Sequence, residues 1–312
     1  MKGPLFYSKI LLFGEYGIIK NSKGLSIPFN SYNGALQIDS ELSEEHQKSN
    51  ASLKRFADYL SALESENIAE VCFDLTSFYA DIKKGLYFDS SIPQGYGIGS
   101  SGALVAAVYD KYAQNKITVL ENLTRDKLVK LKTIFGEMES FFHGQSSGLD
   151  PLNSYLSLPI LINSKENIEM AGIPLQSETG KGAVFLLDSG SVGETAPLVN
   201  LFLDNLKNEG FRNMLKDKFV KHTDACVDDF LKGDVKSLFG NLKELSHVVL
   251  NNFKPMIPKQ FHKLWQKGIE SNAYYLKLCG SGGGGYILGF TQDLEKAKRA
   301  LKDYKLEVVY NF

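Results

Sequence analysis

Apolar residues recur at helical spacing over much of the chain. From Leu123 to Phe142 they fall three and four residues apart, and Thr124 stands ahead of them as a cap. The same kind of pattern predicts further helices at 50–63, 100–115, 197–207, 210–231, 235–251, 259–271 and 294–301.

Shorter apolar runs, bounded by glycine, proline or polar residues, predict strands. They lie at 8–13, 32–40, 71–79, 85–92, 155–162, 183–188, 274–279, 286–290 and 306–310. The stretch from 163 to 182 is weakly patterned, and 312 residues are enough for about two domains. We therefore predict one domain over residues 1–170 and a second over residues 171–312.

Composition argues against several classes of function. The formal net charge is −1, from 35 basic and 36 acidic residues, which is unlike a protein that binds nucleic acid or a membrane surface. The three cysteines lie far apart, so we expect neither a disulfide framework nor a zinc site. The apolar run Ile10–Phe13 is too short for a signal peptide, and no run approaches the ~18 residues of a membrane span. The sequence predicts a soluble, cytoplasmic protein.

The stretch Pro93–Ala103 sets three glycines at alternate positions, then two serines, ahead of an apolar run. Glycine permits positive φ and lets the backbone approach a ligand closely. A helix that starts at the serines would point free N–H groups and a partial positive charge into this loop, which is typical of a phosphate site. The alternative is a tight turn with a serine cap, which requires fewer glycines.

A second glycine-rich segment, Gly280–Gly285, lies between two predicted strands. One interpretation is a flexible hairpin. Four consecutive glycines lose much conformational entropy when they become ordered, however. The segment therefore suits a loop that passes very close to a ligand or to another stretch of backbone.

Several polar residues carry candidate chemistry, each with an ordinary alternative. Lys9 lies inside an apolar strand, where an edge lysine facing water is the alternative. Glu139 falls at the edge of the apolar arc of the 123–142 helix and should be partly buried, whereas Glu137 should face water. The alternative for Glu139 is a glutamate at the edge of this face that reaches solvent. Asp150 precedes Pro151, which should hold it in an extended conformation, and an ordinary Asp-Pro turn is the alternative. Glu15 lies in the turn after the first strand, where an ordinary turn residue is the alternative.

The glycine loop also matches a dinucleotide fingerprint, Gly97-x-Gly99-x-x-Gly102. A strand-like segment at 116–121 supplies the acidic residue that this fingerprint requires, Glu121. Against this alternative, the residues before the loop do not form an apolar strand. A Gly-Lys-Ser/Thr motif is also missing from the sequence. A nucleoside triphosphate bound here would therefore need magnesium and a lysine from elsewhere in the chain.

Four segments resemble motifs of the GHMP kinase superfamily. Pro93–Ala103 resembles the loop P-x-G-x-G-L-G-S-S-A/G-A, and Lys277–Gly285 resembles K-L-T-G-A-G-G-G-G. Lys9–Tyr16 is similar to the mevalonate kinase start K-V-I-L-H-G-E-H, and Glu139–Asp150 is similar to E-x-x-x-H-G-x-x-S-G-V-D. The order of the four motifs is typical of the superfamily, and the last two make the chain most similar to a short, bacterial form of the mevalonate kinases.

The resemblance implies a role for each matching residue. Asp150 matches the catalytic aspartate and Lys9 the lysine beside it. Ser101 and Glu139 match the magnesium ligands. The nucleotide-binding positions are Gly95, Gly97, Gly99, Ser100, Ser101 and Gly102, and the substrate-side positions are Glu15, Tyr16 and Thr195.

The resemblance also implies a fold and a reaction. The fold would be α+β, with an N-terminal domain of the ribosomal-protein-S5 type and a ferredoxin-like C-terminal domain. The reaction would be ATP- and Mg²⁺-dependent phosphorylation of the hydroxyl of a small hydroxy acid, with mevalonate as the first choice, in isoprenoid precursor synthesis. The protein would act on this small molecule alone, with no nucleic acid or membrane partner, as a monomer or homodimer.

The substrate is the least constrained part of this expectation, because Tyr16 stands where mevalonate kinases usually have histidine. The chain is also shorter than animal mevalonate kinases. Other GHMP activities therefore stay open: phosphomevalonate kinase, diphosphomevalonate decarboxylase, and homoserine or sugar kinase. A nucleotide-binding regulator without catalysis is a further alternative from a different class.

Overall fold

The computed structural model describes residues 3–65, 71–120, 122–164 and 167–312. They form two compact units. The first unit takes in the chain up to Lys9, Ile27–Pro93 and Gly99–Leu158, and the second takes in Ile10–Ser26, Gln94–Ile98 and Pro159–Phe312. The division passes through the strands β1 (Phe6–Phe13) and β2 (Gly24–Ile38), which contribute residues to both units. A domain boundary at residue 170 stays a prediction.

The first unit combines strands with helices. Its further elements are α1 (Glu44–Ser65), α2 (Leu75–Lys83), β3 (Leu86–Ser90), α3 (Ser100–Tyr112), α4 (Arg125–His143) and α5 (Leu149–Leu156). Residues Gly34–Ile38 of β2 pair antiparallel with β3. Helix α1 packs on β3, and α3 packs against both α4 and α5. The start of α3 and the start of α5 are therefore parts of one packed helix group.

The helix predicted over 123–142 is confirmed as α4, with its cap. The Oγ1 of Thr124 accepts a hydrogen bond from the Lys127 amide at 3.4 Å. The apolar arc is buried, as shown by Leu131 and Phe135, both 0% exposed. Glu137 was expected to face water and is instead half-buried. The reason is that α1 covers this side of α4, where the Tyr59 hydroxyl donates to the Glu137 carbonyl at 2.9 Å.

One strand prediction in this unit is wrong, and a second, which continues into the other unit, is correct only in part. Residues 71–79 enter helix α2 because Asp74 caps it, accepting a hydrogen bond from the Ser77 amide at 3.0 Å. The run 155–162 is divided between the end of α5 and a strand that begins at Ile160. Ser157, with a φ of 52°, ends the helix between them. An apolar run alone cannot distinguish these cases from a strand.

The structure does not contain the strand that the dinucleotide-binding alternative requires after the glycine loop. Residues 116–120 contain no strand, and Glu121 lies outside the described residues. The third glycine of the fingerprint, Gly102, is inside helix α3 rather than in a turn that follows a strand.

The second unit is built on an antiparallel sheet. Its elements are β4 (Ile160–Ser164), β5 (Asn167–Met170), β6 (Ala183–Asp188), α6 (Thr195–Asn205), α7 (Glu209–Met214), α8 (Lys221–Lys232), α9 (Val235–Asn252), α10 (His262–Ser271), β7 (Tyr275–Leu278), β8 (Tyr286–Thr291), α11 (Leu294–Ala300) and β9 (Leu306–Asn311). The strand order in the four-stranded sheet is β7-β8-β6-β9. Residues Gly24–Ser26 of β2 pair with β4, which pairs in turn with β5.

The core of this unit is the buried strand β6, covered by its neighbours and by helices. Five of its six residues are buried, and α9 and α10 pack on β7. The elements predicted from residue 183 onward are confirmed at nearly their predicted bounds. The expected helix over 210–231 contains one irregularity, a π-helical turn at Leu215–Val220 between α7 and α8. Across the described part of the chain, no helix is both long and apolar enough to cross a membrane.

Candidate active site

A lysine and an aspartate form an ion pair in the first unit. The Nζ of Lys9 lies 2.8 Å from Oδ1 of Asp150, and the lysine side chain is only 4% exposed. The Asp150 side chain is 37% exposed, so a ligand can reach its carboxylate. The alternative for Lys9, an edge lysine facing water, is therefore wrong. A buried ammonium group requires a partner, and Asp150 supplies the opposite charge.

Helix α5 holds Asp150 in its first turn, where an extended conformation was expected. Gly148 caps the helix in the left-handed region, with a φ of 72°. Pro151 is tolerated directly after Asp150 because a first-turn residue has no intrahelical N–H bond to lose. The glycine at 102 allows α5 to approach α3 closely, since a Cβ there would lie 2.7 Å from the Asp150 carbonyl carbon.

Glu139 projects from α4 into the same unit and is 3% exposed. Its Oε1 accepts a hydrogen bond from the Ser101 hydroxyl at 2.9 Å, and its Oε2 accepts one from the Ser146 hydroxyl at 2.5 Å. Burial, and to a lesser extent the negative charge of Asp150, raise the pKa of Glu139 to about 7. The two serine hydroxyls and Lys9 act against this rise. The predicted burial of Glu139 is confirmed.

The donor set around Glu139 fits a hard divalent cation. Lys9 supplies one positive charge against the two carboxylates of Asp150 and Glu139, and a cation would favour the ionised form of Glu139. Within the described residues, no group of three or more His, Cys, Asp and Glu side chains could hold a metal ion. Magnesium does not need such a group, because it takes one or two protein oxygens and completes its shell with water and phosphate. Glu139 and Ser101 are residues that could hold it.

The start of α3 lies beside Lys9 and has the features that favour binding of an anion. Gly99 caps the helix with a φ of 83°, and Ser100, Ser101 and Gly102 follow as its first three residues. The N–H groups of a first helical turn have no intrahelical partner and carry the positive end of the helix dipole. A Cβ on Gly99 would lie 3.1 Å from the Cγ of Lys9, so the lysine stem passes directly against the loop.

The first half of the glycine loop, Gln94–Ile98, belongs to the second unit. Gly95 and Gly97 have φ values of 74° and 78°. The Gly95 carbonyl accepts a hydrogen bond from the Gly193 amide at 3.2 Å. This backbone conformation requires glycine, which explains the alternate glycines of the loop.

The second glycine-rich segment lies against this same loop. A Cβ on Gly97 would lie 2.8 Å from the Cys279 carbonyl oxygen, and a Cβ on Gly285 would lie 2.5 Å from the Cα of Tyr96. The Tyr286 amide also donates to the Tyr96 carbonyl at 3.3 Å. The second glycine-rich segment was predicted to pass close to a ligand or to another stretch of backbone. The structure shows a close approach to backbone, that of the glycine loop.

The remaining predicted residues, Glu15, Tyr16 and Thr195, all belong to the second unit. Glu15 pairs with Lys277, with 2.5 Å between Oε1 and Nζ, and both side chains are 5% exposed. The Tyr16 hydroxyl donates to the Ser281 carbonyl at 2.7 Å. Thr195 is the exposed first residue of α6, and its Oγ1 accepts a hydrogen bond from the Ser281 hydroxyl at 3.2 Å.

Comparison with known proteins connects this arrangement to a family. Residues 55–157 match the family described as "GHMP kinases N terminal domain". This part of the chain is a GHMP kinase N-terminal domain. The matched segment contains Ser101, Glu139 and Asp150, and it includes α3, α4 and α5. A search of the curated proteins finds no match.

Solved GHMP kinase structures share the fold over nearly the whole chain. An L. major mevalonate kinase in complex with R-mevalonate is 16% identical, has a TM-score of 0.63, and aligns over 100% of this chain and 96% of its own. A Streptococcus pneumoniae phosphomevalonate kinase with phosphomevalonate and AMPPNP is 13% identical, with a TM-score of 0.63 and coverage of 98% and 99%. A Lactococcus lactis galactokinase complexed with galactose is 12% identical, with a TM-score of 0.64 and coverage of 98% and 92%. The chain therefore has the α+β fold of the GHMP kinases, as the sequence predicted.

Within the GHMP kinase N-terminal domain and the strand β1, the structure brings together Lys9, Ser101, Glu139 and Asp150. Sequence reasoning missed two residues. The Ser146 hydroxyl donates to Glu139 from a position that the Glu139–Asp150 motif leaves unspecified. Lys277 had a detectable signal, because it is a charged residue inside the apolar strand β7, the same signal that drew attention to Lys9.

Proposed function

We propose that this protein is a kinase that transfers the γ-phosphoryl group of ATP to the hydroxyl of a small hydroxy acid, with mevalonate as the first substrate and 5-phosphomevalonate as the product. One observation carries the proposal. The buried amine of Lys9 lies 2.8 Å from the accessible carboxylate of Asp150, in a unit whose helix α3 begins at a glycine-serine loop. Phosphoryl transfer requires mainly positioning and charge stabilisation, and these groups supply both.

In the proposed reaction, Asp150 accepts the proton of the substrate hydroxyl. The hydroxyl oxygen forms a bond to the γ-phosphorus, while the bond from that phosphorus to the bridging oxygen breaks and ADP leaves. Lys9 orients the Asp150 carboxylate and stabilises the negative charge that develops on the attacking oxygen. The lysine is fixed for this role by burial and by its contact with Gly99.

The glycine loop is proposed to hold the nucleotide. The N–H groups at the start of α3 would donate to the phosphates, and Gly95, Gly97 and Gly99 give the preceding chain a shape that only glycine adopts without strain. Ser101 and Glu139 would hold Mg²⁺, which neutralises phosphate charge when bound. The raised pKa of Glu139 supports this assignment, because a carboxylate that burial makes difficult to ionise is stabilised by a divalent cation.

The choice of mevalonate rests on sequence resemblance and on fold. The similar structures also include a phosphomevalonate kinase and a galactokinase at comparable TM-scores, so the fold alone supports several acceptors. The motifs Lys9–Tyr16 and Glu139–Asp150 favour the mevalonate kinases among these. A role in isoprenoid precursor synthesis would follow from that substrate.

The proposal is tested by a substrate panel with the purified full-length chain. ATP and Mg²⁺ are supplied with mevalonate, phosphomevalonate, homoserine or galactose, and ADP release and product mass are measured. We expect turnover with mevalonate above the other three. Turnover with a different member would reassign the substrate, and no turnover with any member would contradict the kinase assignment for this panel.

A single variant tests the chemistry of the site separately from substrate choice. Asp150→Asn keeps the shape of the side chain but removes the proton acceptor. We expect its kcat to fall by about 10²- to 10⁴-fold while nucleotide binding is retained. An Asp150→Asn enzyme with the wild-type kcat would remove Asp150 from the proposed role.

A further inference from the structure

Two adjacent residues of the turn that follows β1 contact strand β7 and the second glycine-rich segment. Glu15 pairs with Lys277, the third residue of β7, and Tyr16 donates its hydroxyl to the carbonyl of Ser281. Both contacts lie within the second unit. They fix the chain on either side of Cys279, just where it leaves β7 and enters the glycines.

Tyr16 is held in an unusual conformation to make its contact. Its φ is 59°, in the left-handed region that residues other than glycine rarely adopt. Its ring is 7% exposed and packs near Phe202 and Phe253, with centroid distances of 4.8 Å and 6.0 Å. A strained residue persists only where its surroundings over-determine it, and such residues cluster at functional sites.

The Ser281 carbonyl belongs to a segment that lies against the nucleotide loop. A Cβ on Gly280 would lie 3.3 Å from the Cα of Gly97, so the two backbones leave almost no space between them. A Cβ on Gly97 would in turn lie 2.8 Å from the Cys279 carbonyl oxygen. A shift of the Cys279–Ser281 backbone would therefore move Gly97, or open a gap beside it.

We propose that Tyr16 is a positioning residue for nucleotide binding: its phenol fixes the Ser281 carbonyl, and the backbone of residues 279–281 in turn fixes the Gly95–Gly97 part of the phosphate loop. This inference rests on the proposed function, since it takes the loop to bind ATP. It differs from the substrate-side position that the sequence resemblance implies, because the Tyr16 hydroxyl is engaged by the protein itself.

The Tyr16 phenol is suited to donating a hydrogen bond to the Ser281 carbonyl at any pH at which an enzyme works. Burial raises the pKa of Tyr16 far above its usual range, and the charge of Glu15 raises it further. The hydroxyl therefore stays protonated over the working range of an enzyme and donates to Ser281 throughout. The Lys277 ammonium group pairs with the Glu15 carboxylate beside it.

The test compares two variants that each remove one buried tyrosine hydroxyl. Tyr16→Phe loses the bond to the Ser281 carbonyl but keeps the ring. Tyr310→Phe is the matched control, because the Tyr310 hydroxyl also donates to a carbonyl in the same unit, that of Pro174 at 2.9 Å, away from the glycine-rich segments. The dissociation constant of AMPPNP with Mg²⁺ is measured by calorimetry for both variants and for the wild type.

We expect Tyr16→Phe to weaken AMPPNP binding by roughly fivefold, the scale of one net hydrogen bond, and Tyr310→Phe to leave it unchanged. In the protein without nucleotide, amide hydrogen exchange should become faster at residues 95–98 and 279–283 in Tyr16→Phe alone. The KM for the acceptor should stay at the wild-type value.

Three outcomes would overturn the inference. An unchanged dissociation constant with a raised acceptor KM would make Tyr16 a substrate-contacting residue. Equal weakening in both variants would indicate a general loosening of the unit. Absence of AMPPNP binding by the wild type would overturn the proposed function together with the inference, and is distinguished from the other two by the wild-type measurement alone.

Discussion

The Nζ of Lys9 lies 2.8 Å from Oδ1 of Asp150, and the two side chains differ in exposure, 4% for the lysine and 37% for the aspartate. One member of the pair is therefore enclosed by protein and the other can meet a ligand. This is the division of roles expected of a fixed cation and a proton acceptor. An ion pair that contributed only to stability would not require one side chain to be buried and the other to be exposed.

Replacing Lys9 by methionine should remove the fixed cation while nearly filling its volume. We expect kcat to fall by at least about 100-fold, the scale of losing one electrostatic contact in a transition state. Steady-state kinetics with ATP, Mg²⁺ and the accepted substrate provide the measurement. The matched control is Lys116→Met, which breaks a half-exposed pair with Asp110 at 2.9 Å in the same unit and should leave kcat unaltered. Equal kcat values for Lys9→Met and the wild type would exclude the proposed role.

A methyl group at residue 102 should disturb the packing that holds Asp150. A Cβ there would lie 2.7 Å from the Asp150 carbonyl carbon and 2.8 Å from the Pro151 nitrogen. Because both are backbone atoms of α5, they cannot move aside as a flexible side chain would. We expect Gly102→Ala to lower the free energy of unfolding by about 1–3 kcal/mol and to reduce kcat as well.

Gly240→Ala is the control for Gly102→Ala. Gly240 is also a glycine inside a helix, α9, but a Cβ there meets nothing within 4 Å. Alanine favours a helix over glycine, so this variant should raise the free energy of unfolding by up to about 1 kcal/mol. Chemical unfolding of both variants checks the pair, and a Gly102→Ala protein as stable as Gly240→Ala would contradict the packing argument.

The spacing of apolar residues predicted local structure where a helix depends on neighbours close in sequence. The helical spacing of Leu131 and Phe135 predicted α4, its cap and the burial of Glu139, because these depend on neighbours three and four residues away. The strand predicted over 71–79 was wrong because a single capping residue, Asp74, stabilises the start of a helix there. Local chemistry of this kind competes with apolar periodicity and is easily missed.

Contacts between distant segments were less accessible to prediction. The sequence indicated that Lys9 and Asp150 are notable, and the family resemblance placed them beside each other. The pairing of Glu15 with Lys277 had no such support, because nothing in the pattern of either residue specifies its partner. The close packing of Gly97 against Cys279 was predicted only as one of two alternatives, since glycine permits approach by a ligand and by backbone alike.

Glu139 should make the stability of the metal-free protein depend on pH. Its pKa is raised from an ordinary value of 4.5 to about 7 in the folded state, chiefly by burial. The folded state therefore binds more protons than the unfolded state between these two values, and the free energy of unfolding should fall as the pH rises through this window. The loss attributable to Glu139 is on the order of 3 kcal/mol by pH 8.

The measurement is urea unfolding at pH 5 and at pH 8 with a chelator present. Glu139→Gln provides the comparison, because glutamine has nearly the same shape and carries no charge. Its amide oxygen accepts from one of the two serine hydroxyls, Ser101 or Ser146, and its NH2 group can donate to the oxygen of the other. The decline between the two pH values should be smaller in this variant than in the wild type. Parallel pH profiles for the two proteins would show that Glu139 does not titrate in this window.

The Lys277–Glu15 pair should be costly to break from one side. Both side chains are 5% exposed, so Lys277→Met leaves the Glu15 carboxylate buried without its cation. We expect this variant to lose about 3–5 kcal/mol of unfolding free energy. Adding Glu15→Gln removes the stranded charge and should recover part of the loss, so that the double variant is more stable than Lys277→Met alone. Lys298→Met, which breaks an exposed pair with Glu295, should change stability by less than about 1 kcal/mol. A double variant whose loss equals the sum of the two single losses would show that Lys277 and Glu15 do not stabilise each other.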